Sequence, residues 1–320
     1  MLGGAEGGAL GFDGLGEVVG CRGGEVARPE LLLLGEEWEV PDEVDHRSSL
    51  DGYTWVVNIL FVGDVFGSAG RHIVREHLPQ LMETHEVDLL VINGENAAGG
   101  FGITPSIAEE LFDLGAHVIT TGNHIWDKKE IFEYMAVPAV SHARGRRVLR
   151  PGNYAAATPG FGVYQGTLPN GTEYAVMNLQ GRVFMSTCDD PFRKADEMLA
   201  GITAKVILLD IHAETTSEKV ALGWYLDGRV TAVLGTHTHI PTADERVLPG
   251  GTAFQTDVGM SGPYDSVIGV ETELVLKRFL TGMPGKFEAA KGNPKMCATL
   301  IECDGGTGRA YGVRRFMLGE

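Results

Sequence analysis

Val56-Val57-Asn58-Ile59-Leu60-Phe61-Val62-Gly63-Asp64 sets six apolar residues around one asparagine and then stops at a glycine and a carboxylate. A run this short and this apolar reads as a strand buried on both faces, as in parallel sheets covered by helices. Downstream, the stretch from Gly70 to His85 carries Ile73, Val74, Leu78 and Leu81 on one helical face. Val87-Asp88-Leu89-Leu90-Val91-Ile92 is a second buried strand, ending at Gly94-Glu95-Asn96. A helix over Pro105–Leu114, a strand over His117–Ile119 and a loop over Thr120–Trp126 follow. Buried strands alternating with amphipathic helices make βαβ units and a largely parallel sheet.

Farther along, residues 148–179 change style, with short β runs punctuated by Pro159-Gly160 and Pro169-Asn170-Gly171, which predicts an antiparallel hairpin attached to the α/β part. Asp189-Asp190-Pro191 reads as a helix N-cap. Two more alternating units follow: strand Val206–Ile211 with helix Ser217–Leu226, and strand Val230–Leu234 with loop Gly235–Thr242. A hairpin turning at Pro249-Gly250-Gly251, a helix near Glu271–Leu280 and strands over Lys295–Cys303 and Arg309–Phe316 complete the chain. The expected fold is a single α/β domain over residues 57–320, with mixed sheets flanked by helices.

Composition narrows the function. The 320 residues are 43% apolar and 22% charged, as in a globular protein with a sizeable core. No apolar run approaches the roughly 20 residues of a membrane span; near the start the longest is Leu31–Leu34. The first residues lack the basic flank and apolar region of a secretory signal. Four cysteines, at 21, 188, 297 and 303, form no CxxC pair, so a reducing cytoplasm is expected. A net charge of −17 excludes a protein that coats nucleic-acid backbone. A small anionic substrate then requires something local, such as metal ions, to reverse the sign of the field.

The charge is uneven. Residues 1–56 hold 12 Asp/Glu against 3 Arg/Lys, a net −9, and ten of the first 24 residues are glycine. With no sustained period of 3.6 or 2, this segment is expected to be a disordered acidic extension.

Polar residues gather where the buried strands end: Asp64, Glu95-Asn96, Asn123-His124, His212 and His237-Thr238-His239. Ligands of open α/β sheets bind at the carboxyl ends of strands. Singly, each has an ordinary reading: a helix cap at Asp64, a turn at Glu95, a left-handed turn position at Asn123, a hydrogen-bonded structural histidine at His212. Together, five loops that each offer an oxygen or imidazole at one edge read as a divalent-metal site. In an extended segment, alternation would point His237 and His239 to the same side.

These residues carry a resemblance. In order, Gly63-Asp64, Gly94-Glu95-Asn96, Gly122-Asn123-His124, His212 and His237-x-His239 resemble the calcineurin-like metallophosphoesterase signature. More narrowly, the chain resembles the YmdB-type branch, bacterial 2′,3′-cyclic-nucleotide phosphodiesterases, over about residues 57–320. The stretches that match are Gly63-Asp64-Val65-Phe66-Gly67, Asn93 to Gly100, Thr121-Gly122-Asn123-His124-Ile125-Trp126-Asp127, Asn178-Leu179-Gln180-Gly181-Arg182 and Thr256-Asp257-Val258-Gly259-Met260. Phe66 stands where the wider superfamily has a histidine and Glu95 where it has an aspartate; the YmdB-type branch shares both departures. Proteins of that branch begin at the position of Val57, with Met in its place. A GTG start codon read as valine would put residues 1–56 upstream of the true start.

The resemblance implies a metallophosphoesterase-type sandwich with two divalent transition-metal ions, iron first, with Mn or Zn also compatible with the ligand types. Glu95 would bridge the ions; Asp64, Asn96 and His239 would complete one site, and Asn123, His212 and His237 the other. A hydroxide held between the ions would attack phosphorus in line. His124, beside a ligand without being one, is the expected proton donor to the 2′ oxygen of a cyclic nucleotide. Arg182 is a candidate phosphate contact, against a surface ion pair. Asp127 and Asp257 read as loop-ordering residues, and Phe101, Trp126 and Tyr264 as packing aromatics. Cys188, Cys297 and Cys303 read as ordinary buried thiols. Within enzymes the alternative is a phosphomonoesterase or 5′-nucleotidase on the same metal core; outside them, a metal-stabilised regulatory protein linked to RNA metabolism. A membrane partner is not expected, and self-association is left open.

Overall fold

The computed structural model describes residues 55–138 and 142–319, which belong to one compact unit, His46–Glu320. The expectation for residues 1–56 lies outside the described residues, apart from its last two.

The first half runs β1 (Val56–Val62), α1 (Gly67–Thr84), β2 (Leu89–Asn93), α2 (Pro105–Asp113), β3 (Val118–Thr120) and α3 (Ile131–Met135). The second half opens with the hairpin β4 (Val163–Thr167) and β5 (Glu173–Gln180), then α4 (Pro191–Leu199), β6 (Val206–His212), α5 (Thr216–Leu226) and β7 (Ala232–Thr236). Short β8 (Arg246–Val247), β9 (Ala253–Gln255) and β10 (Gly262–Pro263) lead to α6 (Thr272–Thr281) and the long pair β11 (Pro294–Asp304) and β12 (Ala310–Leu318). Among the described residues no helix is long and apolar enough to cross a membrane.

The strands form two sheets. One has the order β10-β11-β1-β2-β3, with β12 on β11; the other has the order β4-β5-β6-β7-β9-β8. Strands β1, β2 and β3 are mutually parallel, as are β5, β6, β7 and β9. Antiparallel β11 and β12 extend the first sheet. The hairpin predicted around Pro169-Asn170-Gly171 forms. Its second strand is not peripheral, however: β5 lies parallel to β6 inside the second sheet, buried at all but its first residue.

Alternation along β1 explains the layering. Val57, Ile59 and Phe61 face the second sheet and pack with Tyr174, Val176, Val206, Leu208, Ala232 and Leu234. Leu60 and Val62 point the other way, into a core shared with Ile73, Val74, Leu78 and Leu81 of α1. The outer face of the second sheet packs Met177, Leu209 and Ile211 on Leu222 and Leu226 of α5. The result is four layers, helix–sheet–sheet–helix, in which both faces of the central strands are dry. Asp190 caps α4 as expected, accepting from the Phe192 and Arg193 N–H groups. Cys297 and Cys303 are buried free thiols as expected, whereas Cys188 is free but only half-buried.

One buried ion pair ties α5 to the end of β9. Lys219 Nζ donates to Asp257 Oδ2 at 2.7 Å, and both side chains are fully enclosed. The same Asp257 oxygen accepts from the Thr238 N–H and hydroxyl, and Oδ1 accepts from the Gly259 N–H. Removing one partner strands the other charge in the interior. Lys219→Met should therefore lower unfolding stability by about 3–5 kcal/mol, measured by urea denaturation. A loss within error of zero would show that the pair carries none of this load.

Candidate metal centre

The carboxyl ends of β1, β2 and β3 meet those of β6 and β7 at the seam of the two sheets. Asp64 follows β1, Glu95 and Asn96 follow β2, Asn123 and His124 follow β3, His212 ends β6, and His237 and His239 follow β7. Asp64, Glu95, Asn96, His212 and His239 are buried, and Asn123, His124 and His237 half-buried. Single ligand atoms of Asp64, Glu95 and His212 all lie within 4.8 Å of one another.

The hydrogen-bond pattern fixes which atoms point inward. His212 Nδ1 lies 2.9 Å from Thr236 Oγ1, whose hydroxyl donates to Asp210 Oδ1 at 2.7 Å. Thr236 can then only accept from His212, which leaves the His212 Nε2 lone pair facing the seam. Three atoms meet that nitrogen: Asn123 Oδ1 at 3.0 Å, His237 Nδ1 at 3.0 Å and Glu95 Oε2 at 2.6 Å. The Glu95 contact is close but lacks hydrogen-bond alignment, and Glu95 Oε2 has no hydrogen-bond partner. His237 turns Nε2 outward to Glu214 Oε2 at 3.0 Å, so its Nδ1 also faces inward.

A second group sits beside the first. His239 Nδ1 donates to the Ile268 carbonyl at 2.8 Å, and Asn96 Nδ2 donates to the Gly100 carbonyl at 3.0 Å. His239 Nε2 and Asn96 Oδ1 are thus two acceptors facing each other at 3.2 Å. Asp64 Oδ2 accepts from the His237 N–H, while its buried Oδ1 has no partner. Buried acceptors turned on one another without a proton between them are costly. A cation is the group that relieves them, and mixed carboxylate, amide and imidazole donors suit a divalent transition metal.

Electrostatics without metal point the same way. Burial pushes Asp64 up to about 8, opposed by His212 and reinforced by Asp257, Glu95 and Asp210. Burial also works to raise Glu95, but the charge and proximity of His212, with His124 next, carry it down to about 2. His212 is raised against its own burial by Glu95, and burial with His212 alongside drops His237 to about 3. Protons thus do part of the neutralising that a cation would do.

Several loop details were not expected. His237 and His239 have φ of 99° and 66°, so the HxH segment is not extended and simple alternation does not aim it. Thr238, held by Asp257, pins the loop between the two rings. Asn123 has no positive φ, and Asp64 does not cap α1, whose N-cap is Phe66 with no side-chain cap bond. Gly122 is required by close approach: a Cβ there would lie 2.1 Å from the His212 ring. The backbone around it is held by Asn178 Nδ2 donating to the Thr121 carbonyl and by the Tyr154 hydroxyl donating to that of Gly122.

A cavity of about 260 Å³ opens onto the centre. Its lining combines Glu95, Asn96, His124, His237 and His239 with Phe66, Phe101, Ile268, Val270 and Phe287. His124 Nδ1 is held by Asp127 Oδ2 at 2.8 Å, its backbone N–H donates to Glu95, and its ring stands edge-on to Phe101 at 5.1 Å. Phe101 is therefore a cavity wall rather than a core side chain. Arg182 is not brought to this cavity; its guanidinium pairs with Asp190 at 3.3 Å and its N–H donates to the Glu218 carboxylate. A larger cavity of about 310 Å³ at the amino ends of β6 and β7 has no carboxylate or imidazole in its lining, so chemistry rather than size locates the site. Sequence reading missed Asp210, Glu214 and Thr236 as supports. Period-2 spacing on β6, which puts Asp210 on the face of His212, was the available signal for the first.

Known proteins resemble this chain over most of its length. The sequence model of a family described as "YmdB-like protein" matches residues 60–316. The chain is 47% identical over 267 residues to a Bacillus subtilis protein named 2′,3′-cyclic-nucleotide 2′-phosphodiesterase, covering 82% of this chain and 98% of the relative. A Mycoplasma pneumoniae protein named putative phosphatase/phosphodiesterase is 35% identical, with 82% and 94% covered. Among solved structures, a hypothetical protein from Thermus thermophilus superposes with a TM-score of 0.76 at 42% identity, covering 82% of this chain and all of that one. A Mycoplasma pneumoniae structure described as a novel phosphatase gives 0.77 at 32% identity, with 83% and 94% covered.

Two outcomes follow from the geometry. Gly122→Ala should displace the His212 ring and weaken divalent-metal binding by about 10–100-fold while the apo-protein stays folded; titration calorimetry with circular dichroism reads both. Metal loading should also release protons, because Asp64 holds a proton that a cation displaces. Affinity should therefore fall as pH drops from about 8, the Asp64 value, and the heat of binding should depend on the ionisation enthalpy of the buffer. A buffer-independent heat would contradict the assignment.

Proposed function

The chain belongs to the YmdB-like family, and on that premise we propose that this phosphoesterase opens 2′,3′-cyclic nucleotides to 3′-nucleotides at a centre of two divalent transition-metal ions. The observation that carries the reading is the pair of inward-facing acceptor groups with Glu95 between them. Asp64, Asn96 and His239 would hold one ion, Asn123, His212 and His237 the other, and Glu95 both. Iron is the first choice, with Mn or Zn compatible with the same donors. Bound there, the ions supply an activated water for in-line attack and neutralise charge on the phosphoryl oxygens.

The remaining residues orient and exchange protons. His124 lies on the cavity wall outside both acceptor groups, and Asp127 fixes its Nδ1–H. That leaves Nε2 to hold the proton for the departing ribose 2′ oxygen, whose alkoxide is too basic to leave unprotonated. The apolar residues Phe66, Phe101, Ile268, Val270 and Phe287 among the polar lining suit a ligand that carries an anionic group and a flat apolar face. Arg182, paired with Asp190, supports its own loop in this reading.

The reading is tested by metal analysis of the purified protein with a panel of 2′,3′-cyclic, 3′,5′-cyclic and monoester substrates. About two ions per chain and fastest turnover of the 2′,3′-cyclic diesters are expected; one ion, or a preference for monoesters, would overturn it. His124→Ala should keep wild-type metal content and lose about 100- to 10,000-fold in turnover of the cyclic nucleotide. An activated aryl phosphodiester, whose leaving group barely needs a proton, should lose far less. Equal losses on both substrates would assign His124 to positioning instead.

A further inference from the structure

The cavity of about 310 Å³ lies at the amino ends of β6 and β7, the opposite end of these strands from the metal centre. Strand β6 runs seven residues from Val206 to His212, which separates the cavity from the acceptor cluster by roughly 20 Å. Its charged lining consists of Lys205, Arg229 and Arg309, all exposed, in a chain whose net charge is −17. The carboxylates of Asp196, Asp227 and Asp304 contact lining residues without lining the cavity, and each is committed to its own neighbourhood. Asp227 accepts from the Gly250 and Thr252 N–H groups, Asp304 from the Thr307 N–H, and Asp196 from Arg229 at 2.6 Å. Arg309 donates from Nε and Nη2 to the Gly250 carbonyl at 3.2 and 3.1 Å. That fork fixes the guanidinium, while its Nη1, like Lys205 Nζ, has no acceptor among the described residues. Two glycines let the turns close on these cations. Gly251 has φ of 93° and a Cβ there would lie 3.1 Å from Arg309 Nε; Gly308 has φ of 74° and a Cβ would lie 1.9 Å from the Lys205 carbonyl oxygen.

We propose that this cavity is a second ligand site, which binds a small phosphomonoester with its phosphate on Lys205 and Arg309 and its organic body on Ile202, Ile207 and Val230. A guanidinium edge and an ammonium, one directional and one a compact charge, are the donors that a phosphate dianion pairs with. Arg309 is already fixed by Gly250, so little of its side-chain freedom remains to be lost when an anion arrives. Arg229, held by Asp196, adds to a field that runs against the sign of the whole chain. Lone phosphate would use only the charged part of the lining. Ile207 and Val230 are buried and Ile202 half-buried, so the same cavity also offers carbon surface for a molecule that carries the phosphate. The volume falls at the lower end of the range for small-molecule sites. No residue lines both this cavity and the one at the metal centre, so a ligand here leaves that centre open.

An amide NMR titration of the zinc-loaded full chain with adenosine 5′-monophosphate and, separately, glucose 6-phosphate tests the proposal. At least one ester should shift the amides of Gly250, Gly251 and Gly308 in a saturable way. Lys205→Glu, which leaves the contact of Arg309 with Gly250 intact, should weaken that binding by about 10–100-fold, as should Arg309→Ala. Both variants should keep the wild-type circular-dichroism spectrum and metal content, since both side chains are exposed and far from the acceptor cluster. Orthophosphate should shift the same amides with lower affinity, because it leaves the apolar surface bare. Equal affinity would give the cavity to free phosphate and overturn the assignment of an organic ligand. No shift from either ester, shifts reproduced by sodium chloride at the same ionic strength, or binding that survives Lys205→Glu would overturn the site itself.

Discussion

The hydrogen-bonded N–H groups of the ligand-type side chains face away from the seam of the two sheets. His212 spends Nδ1–H on Thr236 and His239 its own on the Ile268 carbonyl, His237 turns Nε2 toward Glu214 at 3.0 Å, and Asn96 gives one amide hydrogen to the Gly100 carbonyl. What is left to point inward is lone pairs, with Asp64 Oδ1 and Glu95 Oε2 unpartnered among them. Mutual repulsion in a dry pocket is tolerable only with compensating positive charge. The surrounding architecture can be understood as the means of holding these acceptors in place against that repulsion.

Two sheets rather than one make this possible, because each contributes carboxyl ends to the same seam. The join is itself polar: Asn93 on β2 donates to Asp210 on β6 at 2.9 Å and accepts from the Glu95 N–H. One asparagine thus fixes the Glu95 loop to its own sheet while binding that sheet to the strand bearing His212. Burial raises Asp210 to about 6, restrained by His212 and by hydrogen bonds that include those from Thr236 and Asn93. On β7, the left-handed backbone at His237 and His239 costs energy that an unconstrained loop would shed. Asp257 prevents this through Thr238, and Lys219 anchors Asp257 in turn. Backbone strain, a buried ion pair and an open acceptor cluster therefore belong to one construction.

The parts legible in the sequence were those set by local pattern. Fully apolar runs such as Val56–Val62 and Val206–Ile211 read as strands because both their faces are dry, and the residues closing them became the cluster. Boundaries moved by one to three residues, as with α1, which begins at Gly67 rather than Gly70. Tertiary geometry was not legible. Lys219 looks solvent-facing on an amphipathic helix, and only the fold reveals that it reaches Asp257. Arg182 carries the chemistry of a phosphate ligand, and only the fold shows Asp190 beside it. The HxH pair was legible as two imidazoles after a buried strand, but its aim comes from the left-handed loop and the Asp257 contacts rather than from alternation.

Phe66 shows how far this centre depends on neutral donors. Its ring stands edge-on to His239 at 5.5 Å and lines the cavity, so its position contributes packing and no lone pair. Asn96 contributes a neutral amide oxygen beside His239. Of the seven residues placed around the acceptor groups only Asp64 and Glu95 carry carboxylates; the other five are amides and imidazoles. Two divalent cations, as proposed, set among two carboxylates would leave the centre at about +2 before any water or substrate is bound. The chain as a whole carries −17. A phosphodiester anion approaching this acidic protein would then find, in a cavity partly lined by apolar side chains, a locally positive field that the distant charges are too screened to cancel. Replacing a neutral donor with a third carboxylate would lower that local charge, so the scarcity of acids in the centre serves the binding of an anion.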